Sequence, residues 1–408
     1  MDIIYIGFKP QVIRSGGDKY LTEVLDYLEK EANLKYMDFS HMAWLQKGAR
    51  FSANFNAVIC ILKANLWAVK EFIKINKNRK NKYITQHSRN QIPLKKWGEG
   101  GCKTTFPKKK FLQGNTIVLI NSYYKQFFFM FVWFIKLRKN YKYVAGINAL
   151  YYHSRGNRFL NKLDKFIMKI FLLPASAIIV NSKVVHDEVR TMGINVPVKV
   201  IYPRLDLPPD IPEGSFNKDE SKFNILYVGY CTPVKELHIL VEAIGLLKEY
   251  PIQLNIVGEY EGHIEYYSFL KSIIAKYDIA DKVCFHGRKE GKELTFFYKT
   301  SDLLVSPGSG EGYGRVLIEA MYFGLAVVGA NSGATTELIQ HGVNGLLFSP
   351  KDPQDLSQKI KMLIADKAYR SKLAANARKE SLKANFTVNL GKQFYEFFKT
   401  VNTKYGTV

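Results

Sequence analysis

Two carboxylates, Glu311 and Glu319, flank the part of this sequence where chemistry is most readily placed, the segment Ser306-Pro307-Gly308-Ser309-Gly310-Glu311-Gly312-Tyr313-Gly314-Arg315. Glycines let a backbone approach a ligand closely and turn its N–H groups toward an anion. Glu311 stands within the segment, and the apolar spacing that follows reads as a helix bearing Glu319 roughly a turn and a half from its start. Both carboxylates therefore reach one cleft. A tight turn followed by a helix whose early acids favour its dipole would leave the same pattern, so these residues alone keep both readings open.

The elements around the segment decide where such a cleft would lie. Strands are expected at 223–228, 253–257, 282–285, 303–306 and 326–329, alternating with helices at 234–247, 264–277, 292–299, 316–323 and 336–340. Apolar, β-branched strands with glycines at their C-terminal ends indicate a doubly wound parallel sheet. Ligands of such sheets gather beyond the carboxyl ends of the strands. The first half opens the same way, with a strand at 3–7, a loop to Gly16-Gly17, and Leu21, Val24, Leu25 and Leu28 at helical spacing. Further short strands are expected at 58–62, 83–85, 116–120, 143–147 and 176–180, with a glycine- and lysine-rich loop at 91–114. Pro197, Pro203, Pro208, Pro209 and Pro212 mark a linker. The fold class is thus α/β, with two Rossmann-like domains at 1–200 and 223–385 joined by 201–222, and residues 386–408 forming a terminal helix.

Composition limits the alternatives. The 408 residues are 47% apolar and 14% aromatic, enough for two cores and unlike a disordered chain. Cys60, Cys102, Cys231 and Cys284 are dispersed, which argues against a disulfide framework or a structural zinc site and suits a reducing, cytoplasmic compartment. No secretory leader is visible at the start of the sequence. The longest apolar run, 127–135, falls well short of the roughly 20 residues that span a bilayer. The expected protein is soluble, or peripheral on the inner face of a membrane. Its net charge of +23 is concentrated in the first half, where residues 61–160 hold 21 basic residues against two acids, Glu71 and Glu99. The two halves are expected to meet different partners.

Glu311 and Glu319, followed by Ala320-Met321 and Gly324 and then by Gly333, Glu337, Gly342 and Gly345, resemble glycosyltransferase family 4, of the GT-B fold. The resemblance extends to most of the chain. Gly16-Gly17 is similar to a glycine pair of the N-terminal domain, and 177–182 to a strand ending in serine. Tyr202-Pro203-Arg204-Leu205-Asp206 stands where the family often has an Asn-Gly-Val-Asp turn. Val228-Gly229 with Lys235 resembles the first strand and loop of the donor domain, 283–287 resembles its Val-x-Phe-x-Gly strand, and Phe386-Thr387-Val388 introduces a helix returning to the N-terminal domain.

The resemblance implies a hexosyltransferase that moves a sugar from a UDP- or GDP-sugar to an acceptor hydroxyl, with retention of configuration. Lys235 would hold the donor diphosphate, Glu319 the ribose hydroxyls and Glu311 the sugar. The backbone of Gly312, Tyr313 and Gly314 would also hold the sugar, with Gly16, Gly17, Gly229, Tyr230 and Arg315 completing the donor site. His153 lies in the region where the family often carries a histidine near the sugar. No metal or other cofactor is implied, and no Asp-x-Asp occurs in the chain. Four positions depart from the family pattern. Tyr230 replaces an arginine, for which Arg204, Arg288 or Arg315 could substitute. Glu236 replaces the glycine after the lysine, Ala334 a second glycine, and Ala326 a proline.

The cationic N-terminal half suggests a lipid-linked or membrane-associated acceptor and contact with an anionic membrane surface. The run 127–135, with Lys136, Arg138, Lys139 and Lys142 after it, fits an interfacial helix or a buried one. A catalytically inactive relative and a basic-surface binder of lipid or nucleic acid are the alternatives. No nucleic-acid motif accompanies the charge, so nucleic acid is the less favoured partner.

Overall fold

The structure, a computed structural model, describes residues 2–6, 16–37, 116–120, 141–147, 158–203, 205, 207–212, 218–383 and 389–404. The expected strands at 58–62 and 83–85, the loop at 91–114, the run 127–135 and His153 lie outside the described residues.

The first half builds a parallel sheet from β1 (Asp2–Ile6), β2 (Asn33–Met37), β3 (Thr116–Ile120), β4 (Tyr141–Ile147), β5 (Ala177–Val180) and β6 (Val198–Val200), in the order β2-β1-β3-β4-β5-β6. Helices α1 (Gly16–Glu31), α2 (Arg158–Leu172) and α3 (Lys183–Thr191) accompany it. Val24, Leu25 and Leu28 form one stripe of α1 and are buried against Ile3, Ile117, Val144 and Ile179 of the strands. That is the packing their helical spacing predicts.

The second half repeats the plan with β7 (Phe223–Val228), β8 (Ile252–Val257), β9 (Val283–Phe285), β10 (Leu303–Ser306), β11 (Ala326–Ala330) and β12 (Leu346–Phe348), all parallel in the order β12-β11-β10-β7-β8-β9. Its helices are α4 (Leu237–Leu246), α5 (Ile264–Tyr277), α6 (Gly291–Thr300), α7 (Arg315–Tyr322), the short α8 (Thr335–Leu338), α9 (Pro353–Ala365) and α10 (Lys367–Ser381). Successive strand residues face opposite ways. Ile225, Tyr227, Leu303 and Val305 meet α4, α5 and α9, whereas Leu226, Leu304 and Val327 meet α6 and α7. The helices after β7 and β10 therefore lie on opposite faces of the sheet, although these two strands are neighbours.

Three differences from the sequence reading have local causes. The helix expected at 234–247 is interrupted, because a 3-10 turn over Pro233–Lys235 ends at Glu236, which adopts φ 50, ψ 33 before α4 begins. That left-handed conformation costs an L-residue about 1 kcal/mol or more. Strands β2, β6 and β12 were not expected from the sequence; each is a sheet edge, and β6 and β12 are only three residues long, where patterning is weak. Helices α2 and α3 occupy sequence for which no element was assigned.

The last helix, α11 (Leu390–Lys404), leaves the second half and buries Leu390, Phe394, Phe398 and Val401 in the core of the first. It crosses α1 so closely that a Cβ on Gly391 would fall 2.0 Å from Tyr27 Cβ. The buried Lys142 ammonium donates to the carbonyls of Val401 at 2.8 Å and Asn402 at 3.1 Å, capping the negative end of the helix. Among the described residues no helix is long and apolar enough to cross a membrane. Substituting Gly391→Ala is expected to destabilise the protein by about 1–3 kcal/mol through overpacking against Tyr27. A thermal melt with an unchanged midpoint would show that α11 does not seat on α1 in this way.

Candidate active site

The site follows from the change of face between β7 and β10. Chains leaving the carboxyl ends of these adjacent strands diverge to opposite sides, and a crevice opens between them. One wall is the loop Gly229 to Glu236 and the other is the glycine segment 307–314. Gly229 and Tyr230 sit at the end of β7, and the Tyr230 carbonyl accepts hydrogen bonds from the Tyr227 hydroxyl and the Thr232 N–H, both at 2.9 Å. Gly314 caps α7, with Arg315 its first residue.

Lys235 and Glu311 meet across the crevice, with Nζ 2.7 Å from Oε2. Burial would raise the Glu311 carboxyl, but the Lys235 ammonium and the N–H groups of Gly314 and Tyr313 outweigh it and hold the group below its ordinary value. The Gly314 N–H lies 3.3 Å from Glu311 Oε1. A second pair lies deeper: the buried Tyr298 hydroxyl donates to Glu319 Oε2 at 2.8 Å, and the Tyr298 ring stacks on Phe323. Glu319 is only 8% exposed, so its orientation is set within the core.

The loop after β11 supports the segment from behind. The Ala334 N–H donates to the Glu311 carbonyl at 2.9 Å, and Gly333 runs so near that a Cβ on it would lie 2.7 Å from the same oxygen at φ +57. Ala334 itself has φ −68, a conformation that does not require glycine. Glu236 also touches the segment, its carboxylate accepting from the Ser309 N–H at 2.8 Å.

Residues of the N-terminal half reach the same place. The Glu337 carboxylate accepts the Val184 N–H at the start of α3 and the Tyr202 hydroxyl, the latter at 3.2 Å. An anion at a helix N-terminus is favoured by both free N–H groups and the dipole. The Tyr202 ring lies against Tyr313 of the glycine segment, with centroids 5.6 Å apart. Burial pushes the Tyr202 hydroxyl up to about 12, with the neighbouring Glu337 charge and hydrogen bond adding to the effect. Burial likewise pushes Tyr313 to about 12.

The structure thus brings Gly229, Tyr230, Lys235, Glu311, Gly312, Tyr313, Gly314, Arg315 and Glu319 around one crevice. Gly16 and Gly17 form the first turn of α1, after β1, where the strand order of the first sheet also reverses. His153 and Arg204 lie outside the described residues. Arg288 is exposed and paired with Glu290. Sequence reasoning missed Tyr298 and the contacts of Tyr202, Glu236 and Glu337. Only Glu236 left a signal, as a long acidic side chain where the resembling family has glycine.

Comparison with known proteins places this crevice in context. Residues 212–380 match the family described as glycosyl transferases group 1. Over 183 residues, 45% of this chain and 46% of the other, the sequence is 30% identical to an uncharacterized glycosyltransferase of Methanocaldococcus jannaschii. It is 31% identical over 170 residues to a sulfoquinovosyl transferase of Arabidopsis thaliana, covering 41% of this chain and 31% of that one. The chain spans less than half the length of these curated relatives. Among solved structures it is similar to the HepE protein of Anabaena in complex with UDP, with TM-score 0.65, 18% identity, and coverage of 98% and 100%. It is also similar to sucrose-phosphate synthase of Thermosynechococcus elongatus, with TM-score 0.68, 16% identity, and coverage of 98% and 99%. The fold is GT-B, as the sequence led one to expect. The matched segment contains the entire crevice wall from Lys235 to Glu337.

Because the Glu311 carboxyl is held low, its pairing stabilises the fold above the ordinary carboxylate pKa, and that stability is lost as pH falls through the lowered value. In Lys235→Met the half-buried carboxylate loses its cation and its pKa rises. The melting-temperature deficit of this variant against the parent should therefore be greatest at neutral pH and shrink toward about pH 4. A deficit independent of pH would mean that the two groups do not interact as charges.

Proposed function

We propose that this protein is a retaining, metal-independent glycosyltransferase that moves a hexose from a UDP- or GDP-sugar to an acceptor hydroxyl. The observation that carries this reading is the Lys235–Glu311 pair at the mouth of the crevice, with Glu319 held behind it by Tyr298. A donor diphosphate competes with Glu311 for the Lys235 ammonium. Once displaced, the Glu311 carboxylate faces the sugar hydroxyls and supports positive charge at the anomeric carbon. Glu319, oriented by the Tyr298 hydroxyl, accepts from the ribose hydroxyls. As the glycosidic bond to phosphate breaks, charge on the departing oxygen is met by Lys235 and the N–H groups at the start of α7. The departing phosphate oxygen takes the acceptor proton, so no side-chain base is required, and His153 is assigned to the sugar face. The complexes of HepE with UDP and UDP-glucose support a uridine nucleotide as the first candidate.

Titration with UDP, GDP and their sugar conjugates tests this reading through the melting temperature. A ligand at about a hundred times its Kd should stabilise the native state by about 2.7 kcal/mol. The shift should appear with one base and vanish in Lys235→Ala and Glu319→Ala. No shift with any nucleotide would overturn the donor site and leave the inactive relative as the reading.

The acceptor is proposed to be lipid-linked or membrane-associated, with the enzyme peripheral on the inner face of a membrane. Helix α2 exposes Phe166 (60%) together with Ile167, and Leu173 (45%) follows its last turn, while Lys162 and Lys169 share the exposed side. Apolar groups flanked by lysines suit an anionic lipid interface. Vesicles containing anionic lipid should co-sediment the protein, salt should reverse binding, and Phe166→Ser should weaken it. Binding indifferent to lipid charge would count against this acceptor class.

A further inference from the structure

Glu236 is in an unusual state for a glutamate. Its backbone is left-handed at φ 50, its side chain is long and has no local way to compensate that conformation, and the residue is only 3% exposed. Of the other described non-glycine residues with positive φ, Asp278 ends α5, the ordinary place for a short polar side chain, and Lys351 lies beside Glu236 itself. A buried carboxylate is tolerated only where partners replace water. Here Oε2 accepts the Ser309 N–H at 2.8 Å, and Oε1 lies 3.9 Å from the Lys351 ammonium.

The partner chosen matters. Ser309 is 5% exposed, belongs to the glycine segment, and precedes Glu311 by a single glycine. The two loops run side by side, so that a Cβ on Gly308 would lie 3.4 Å from the Lys235 carbonyl oxygen. Consecutive residues of one loop thus clamp the other at two points, Lys235 through the Glu311 carboxylate and Glu236 through the Ser309 backbone. The left-handed turn at 236 lets neighbouring side chains reach the same strip of chain.

We infer that Glu236 is a positioning residue for the glycine segment: it pins Ser309 and so sets where Glu311 stands relative to Lys235. A segment rich in glycine has many conformations available, and a buried acceptor on its backbone removes most of them. The effect on nucleotide affinity rests on the donor-site reading, whereas the effect on the segment's order does not.

Two variants separate the roles of backbone and carboxylate. Glu236→Gly relieves the left-handed conformation but deletes the acceptor, and Glu236→Gln keeps an oxygen for the Ser309 N–H. Native-state hydrogen exchange of the peptide covering 307–314 should be at least tenfold faster in Glu236→Gly and return to within about twofold of the parent in Glu236→Gln. The Kd for UDP, or for GDP where that base is the one bound, should weaken about five- to tenfold in Glu236→Gly and recover in Glu236→Gln. Unchanged exchange in Glu236→Gly overturns the inference. Faster exchange spread evenly over the whole protein in both variants, with a lowered melting temperature, also overturns it, since the residue would then serve stability alone. If the parent binds neither nucleotide, the donor reading falls and the exchange measurement still decides the role of Glu236.

Discussion

Everything at the crevice depends on the reversal of strand order between β7 and β10. A right-handed crossover from β7 places α4 on one face of the sheet, and the return through α6 to β10 places α7 on the other. Two chains leaving neighbouring strands must then separate, and the space between them cannot be filled by either helix. Backbone N–H groups, a helix start and the side chains of both loops line that space without further design.

Charge inside the crevice is organised as a set of mutual satisfactions. Lys235 answers Glu311, Tyr298 answers Glu319, and the Ser309 N–H and Lys351 answer Glu236. Each carboxylate is held largely away from water, and each has a donor that replaces the lost hydration. A site built this way is ordered before any ligand arrives. It also leaves the Lys235 side chain partly exposed beside Glu311, where an incoming anion can recruit it.

The two halves are joined by contacts of different kinds. Helix α11 is anchored by apolar burial and by Lys142 at its end, a connection that holds whatever happens in the crevice. Among the described residues the contacts across the crevice itself include the polar ones of Glu337 with Val184 and Tyr202 and the ring contact of Tyr202 with Tyr313. Polar contacts of this sort exchange readily for water, so the second junction is the one suited to opening. Tyr313 ties it directly to the segment carrying Glu311.

Much of this architecture was legible in one dimension. The strands 223–228 and 303–306 and the helix 264–277 appear as their apolar runs and helical spacing demand, because such patterns are imposed by burial on one or two faces. The glycine segment and its two glutamates were also legible, since a turn between strand and helix restricts residue type locally. Short edge strands such as β6 were not, because three residues exposed on one side carry almost no pattern. The partners of the carboxylates were invisible for a different reason. Tyr298 precedes Glu319 on a separate helix, Tyr202 meets Glu337 from the other half of the chain, and Glu236 finds Ser309 across two loops. The sequence by itself determined which elements form and which residue types stand at the strand ends. Only the tertiary structure decided which charges meet, because that depends on strand order and on the hand of the crossovers, and neither is written in local spacing.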